Sequence, residues 1–90
     1  MADDAPDLTS LRAAIDALDD QLLGLLAQRL GLARTLGALK PKPGRDPGRE
    51  AEVIARLTAQ GALPAELISL IWQAFFAASD RVQRENCQNS

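Results

Sequence analysis

The stretch LTSLRAAIDALDDQLLGLLAQRLGLARTLGALK, Leu8 to Lys40, decides the fold. Its apolar residues Leu8, Leu11, Ile15, Leu18, Leu22, Leu25, Leu32, Leu36 and Leu39 recur in steps of three and four, which places them on one face of a helix. The step missing from that series falls on Arg29, a cation inside an otherwise apolar stripe. Thr9 or Ser10 is expected to cap the start, and Pro41, Pro43 and Gly44 to end the helix at about Lys40.

A helix of roughly 30 residues is about 45 Å long. A compact chain of this size has a radius of gyration of only about 12 Å, so the helix is expected to overhang its own domain and to be covered by a partner chain. Gly24, Gly31 and Gly37 lie inside it, each unfavourable by about 1 kcal/mol, which points to close backbone approach or else to tolerated surface glycine.

Downstream, Asp46 and Pro47 read as the cap and first residue of a short helix through Val53, Ile54 and Leu57, closed by Gly61. A third helix is expected from near Pro64 through Leu67, Ile68, Ile71, Trp72, Phe75 and Phe76 to about Arg84. No strand alternation and no repeat competes, so the fold class is all-α, with one long, one short and one medium helix. Residues 1–90 read as a single domain, with 1–7 and 86–90 as flexible tails.

Composition removes whole classes of function. The 90 residues carry a formal charge of −2, and their ten Lys and Arg form no basic block, so no nucleic-acid partner is expected. Trp72, Phe75 and Phe76 are the only aromatic residues, too few for a base-stacking platform. With no histidine, no tyrosine and a lone Cys87, the sequence offers no His-paired nucleophile, no disulfide framework and no metal site. An acidic start without an apolar leader and the absence of any run of about 18 apolar residues point to a soluble, cytoplasmic protein without a membrane partner.

Polar residues at apolar positions are the candidate site. An arginine in a helix seam needs a counter-ion, because an unpaired buried charge costs several kcal/mol, and three explanations stand for Arg29: snorkelling to solvent, a buried carboxylate, or an anionic ligand. Lys40 lies near the same face at the helix end, where the dipole favours it in any case. On the third helix Ile68, Trp72, Phe75, Ser79 and Gln83 fall on one stripe whose last two members are neutral hydrogen-bonding groups. Taken alone, Asp46 is a cap, Arg49 and Glu50 are first-turn surface charges, and Arg12 is an i,i+4 partner of Asp16.

As a set these residues carry a resemblance. LRAAIDALDDQLLGLLAQRLGLARTLGALK, then RDPGRE, then Ser79 and Gln83, resemble the all-α class of chorismate mutases over almost the whole chain, from about Leu8 to Gln83. The resemblance implies an intertwined homodimer of three-helix chains with two active sites, each built from both subunits. It implies a pocket lined by Arg29, Lys40, Asp46, Arg49, Glu50, Ser79 and Gln83, with Arg12 entering from the other chain. The implied reaction is the rearrangement of chorismate, a small dianion, to prephenate, a step in aromatic amino-acid synthesis.

That reaction moves no proton and needs no cofactor, so the missing histidine and metal cluster are consistent with it. Arg12 and Arg29 would clamp the two carboxylates, and Lys40 and Gln83 would donate to the ether oxygen, these two and Arg29 being the catalytic set. Asp46 and Glu50 would accept from the ring hydroxyl, Ser79 would bond the ring carboxylate, and Arg49 would support the carboxylates. The loop after Lys40 is shorter than the family's, and Lys42 is the alternative to Lys40 if the helix ends early. Isochorismate pyruvate lyase and aminodeoxychorismate mutase are the alternatives on the same fold, and a non-catalytic helical dimerisation module is the alternative from another class. An unregulated, single-function enzyme is expected.

Overall fold

The computed structural model describes residues 7–40 and 44–88, which form three helices: α1 (Leu8–Leu39), α2 (Pro47–Ala59) and α3 (Ala65–Gln88). Among these residues there is no strand, and no helix is long and apolar enough to cross a membrane. Of the expected tails, 1–6 and 89–90 lie outside the described residues, as does Lys42, whereas Asp7 caps α1 and α3 runs on through Gln88.

Local chemistry sets the ends. The cap of α1 is Asp7, not Thr9 or Ser10: its Oδ1 accepts the Ser10 N–H at 2.7 Å, so Ser10 supplies the donor within the first turn. That hydrogen bond holds the Asp7 carboxyl below its ordinary pKa. The cap's contribution to stability is therefore present above the ordinary aspartate range and is lost as pH falls through the lowered value. At the other end Lys40 is extended (φ −75°, ψ 138°), as a residue before proline prefers, and its N–H still donates to the Leu36 carbonyl at 3.1 Å. Asp46 caps α2 by accepting the Arg49 N–H at 3.1 Å, Pro47 follows it, and Gly61 turns the chain at φ 78°, in the left-handed region.

The last turn of α3 extends beyond the expected end. Arg81–Glu85 and Arg84–Asp80 ion pairs at 3.4 and 2.9 Å span successive turns, and Arg34 of α1 approaches Glu85 at 3.8 Å.

Both α1 and α2 pack on α3. The α1 face turned to α3 carries the buried Ala33 and Gly37, with Leu26 and Leu30 half-buried, while the leucines of the stripe from Leu8 to Leu39 stay 48–77% exposed, Leu32 and Leu36 bordering the groove between the two helices. The stripe is therefore not the core of one chain, whose buried apolar side chains among the described residues are Ala33, Val53, Ile68 and Phe76. On α3 the inward aromatic is Phe76 in place of Phe75, which instead meets Trp72 edge-on at 5.1 Å. With a radius of gyration of 17.4 Å and a longest extent of 63 Å, the chain is far more extended than a compact globule of its length.

Small size decides how closely α1 meets α3. A Cβ on Gly37 would lie 2.7 Å from Gln83 Cα and 2.8 Å from its carbonyl oxygen, whereas Cβ atoms on Gly24 or Gly31 would meet nothing of this chain within 4 Å. Gly37→Ala is expected to push the helices apart, at a cost of about 1–3 kcal/mol. Denaturation midpoints of the two proteins measured side by side check this.

Candidate functional site

The crossing of α1 and α3 and the start of α2 enclose an open cleft of about 770 Å³. Arg29 and Leu36 of α1 with Lys40 just after its end form one wall, Phe76, Ser79 and Gln83 of α3 a second, and Asp46, Arg49 and Glu50 close the end nearest α2. Seven of the eight residues singled out in the sequence thus meet in one place. The eighth, Arg12, lies 17 residues before Arg29, roughly 26 Å along the helix axis and beyond any side chain's reach of its own cleft. Among the described residues no ion pair joins it to Asp16, so the i,i+4 pairing read from the sequence is not made; an exposed pair of this kind gains little.

The partners of the cations are the informative feature. Arg29 Nη1 donates to Ser79 Oγ at 2.7 Å, and its guanidinium lies 5.9 Å from the centroid of the Phe76 ring. Lys40 Nζ donates to the Gly44 carbonyl at 2.6 Å and to Gln83 Oε1 at 3.0 Å. Neither cation has a carboxylate partner among the described residues of this chain. The direct hydrogen-bond partners of both cations are neutral groups, while the carboxylates of the cleft, Asp46, Glu50, Glu52 and Asp80, are not paired with them. Because an ammonium is only a donor, Gln83 must turn its amide oxygen to Lys40, which leaves both Nε2 hydrogens for another acceptor.

The acids behave differently. Asp46 spends Oδ1 on its cap, and Arg49 reaches outward to Glu52 at 3.5 Å. Glu50, mostly buried, receives Arg45 on both oxygens: Nε at 2.8 Å and Nη2 at 2.7 Å. Asp80 accepts Arg84 Nε at 2.9 Å on one oxygen, while its Oδ1 is buried with no hydrogen-bond partner among the described residues.

Arg45, Asp80 and Phe76 line the cleft and were not among the candidates. Phe76 stood next to Phe75 with equal hydropathy, and Asp80 stood beside Ser79. The available signal for Arg45 was its place one residue before the cap of α2.

Fold and site together define an all-helical chain with a polar cleft rich in charged residues and an exposed apolar face on α1. The chain belongs to the chorismate mutase type II family, whose model matches residues 11–84. It is 37% identical over 83 residues to the bifunctional chorismate mutase/prephenate dehydratase of Escherichia coli (strain K12), and equally so to that of Shigella flexneri. The match covers 86% of this chain and 22% of those proteins, so the chain spans about a fifth of the length of the curated relatives it matches. Among solved structures it is similar to chorismate mutase from Helicobacter pylori in complex with prephenate, with a TM-score of 0.84, 32% identity, and coverage of 92% of this chain and 96% of that one.

Proposed function

We propose that this chain catalyses the rearrangement of chorismate to prephenate in the cleft between α1 and α3, as a homodimer. The observation that carries the reading is that Arg29 and Lys40 line the cleft with neutral hydrogen-bond partners only, which leaves both free to meet the carboxylates and ether oxygen of a bound anion. Family membership narrows the anion to a chorismate-type ether. In the reaction one C–O bond of the ether breaks as one C–C bond forms within the same molecule. The barrier falls when the enolpyruvyl side chain is held over the ring and when charge growing on the ether oxygen meets fixed donors.

Arg29 clamps one carboxylate through its planar fork, and Ser79, already hydrogen-bonded to it, bonds the ring carboxylate. Lys40 Nζ, which donates to Gln83 Oε1, and the Gln83 Nε2 that this contact leaves free are the two donors to the ether oxygen. Glu50, with Asp46 near it, accepts from the ring hydroxyl, and Arg49 supports the carboxylates by turning inward from Glu52. The second clamp is Arg12 of the partner subunit.

The dimer is supported by the leucine stripe. An exposed apolar patch running the length of a long helix marks an interface, and each leucine buried there contributes about 1–2 kcal/mol. A twofold pairing that lays one α1 along the other would carry Arg12 of each chain toward the other's cleft. The lone Cys87 needs no oxidising compartment, which supports a cytoplasmic enzyme.

The test is turnover by the purified chain of chorismate, isochorismate and 4-amino-4-deoxychorismate, with products identified by NMR. The reading expects chorismate to be converted fastest, to prephenate and without pyruvate. Release of pyruvate from isochorismate as the main activity, or no turnover at all, would overturn it.

A further inference from the structure

Arg45 is a loop residue that the reaction as drawn above does not use, yet it makes more directed contacts than any cation of the cleft. Nε and Nη2 grip both oxygens of Glu50 at 2.8 and 2.7 Å, and Nη2 also donates to Gln73 Oε1 at 3.0 Å. One planar group therefore joins the loop before α2, the first turn of α2 and the middle of α3. Among the described residues α2 packs on α3 and not on α1, and the end of α1 reaches the loop before α2 only through the Lys40–Gly44 hydrogen bond.

The grip has a consequence for Glu50. Each carboxylate oxygen has two lone-pair directions, and a two-point fork uses one on each. The plane of the carboxylate is then fixed, and the remaining lone pairs point away from Arg45. The Glu50 carboxylate in turn holds the Arg45 guanidinium above its ordinary pKa, so the fork stays charged at any working pH.

We propose that Arg45 is a positioning residue: its fork orients the Glu50 carboxylate toward the ring hydroxyl of the bound ligand and, through Gln73, fixes that orientation relative to α3. Arg45 thereby sets the preference of the cleft for a ring that carries a hydrogen-bond donor. This rests on the chorismate reading, which assigns Glu50 to that hydroxyl. A lysine at this place would keep the charge and lose the plane, because an ammonium is a point charge without a fork.

The test is a double-mutant cycle of Arg45→Met and Glu50→Gln, with Arg45→Lys as a second probe. Each protein is assayed with chorismate and with the same enolpyruvyl ether lacking the ring hydroxyl, and thermal midpoints are recorded. Arg45→Met is expected to lower kcat/KM for chorismate about tenfold or more, but less than about threefold in the Glu50→Gln background. Arg45→Lys is expected to fall in between, and turnover of the hydroxyl-free ether is expected to change little in any of them. Additive losses, or equal losses on both substrates, would show that Arg45 only holds the fold and would overturn the proposal. If Arg45→Met does not fold, the ratio of the two substrates for Arg45→Lys decides alone. A wild-type chain inactive on chorismate would overturn the functional reading and this inference with it, whereas an active one with an additive cycle overturns the inference only.

Discussion

Arg29→Ala is expected to lower kcat/KM for chorismate by about 10³-fold, equivalent to about 4 kcal/mol of lost transition-state stabilisation, while the chain stays folded. The size follows from what Arg29 faces. Its partners are the Ser79 hydroxyl and the face of Phe76, so its charge is left for the ligand. Removing it orphans no buried anion, and that orphaning is what makes most substitutions in buried ion pairs so destabilising. Arg29→Lys keeps the charge without the fork and should recover part of the loss. Steady-state kinetics and thermal denaturation of the same preparations separate the two effects: a large fall in melting temperature with modest kinetic loss would make Arg29 a structural residue.

Lys40→Ala is expected to act on the other end of the reaction, lowering kcat by about 10²- to 10³-fold with a smaller change in KM. Charge on the ether oxygen is small in the ground state and grows as the C–O bond lengthens, so a donor aimed there binds the transition state preferentially. Lys40 also organises the site without substrate, holding the Gly44 carbonyl at 2.6 Å and Gln83 Oε1 at 3.0 Å. Wild-type activity should vary little with pH around neutrality, because the amide of Gln83 does not titrate. In Gln83→Glu the side chain donates only when protonated, so activity should fall as pH rises, and a pH profile of kcat reads the difference directly.

The helices themselves were legible because their signals are local. Steps of three and four carry α1, Pro41 stops it, and Asp46 with Pro47 starts α2. The faces were not legible, because hydropathy says that a residue avoids water and not what covers it. The leucines of α1 form the conspicuous stripe, yet Ala33 and Gly37, which carry little hydropathy signal, meet α3. Phe75 and Phe76 differ by one position and about 100° of rotation, so only packing distinguishes them. Asp7, Thr9 and Ser10 are all capping types, and the choice among them lies in backbone angles that composition does not carry.

The site divides in the same way. Arg29 was conspicuous because a charge stood where a leucine belonged, and Lys40, Ser79 and Gln83 followed from helix spacing. Arg45 was missed because its value depends on a loop that folds its fork onto Glu50, and no periodicity reports a loop's geometry. Asp80 was passed over because an acid beside Ser79 reads as a solvated helix residue, whereas its Oδ1 is buried.

The central claim is a chorismate cleft completed by a second chain, and subunit mixing tests it most directly. Arg12→Ala and Arg29→Ala chains, each inactive alone, are unfolded together and refolded as a mixture. If each cleft takes Arg29 from one chain and Arg12 from the other, half of the randomly formed dimers are mixed and each has one intact cleft, so about a quarter of wild-type activity returns. If mixed dimers form, as mass spectrometry would show, and the mixture remains as inactive as its parents, the cleft is not shared and the account is contradicted.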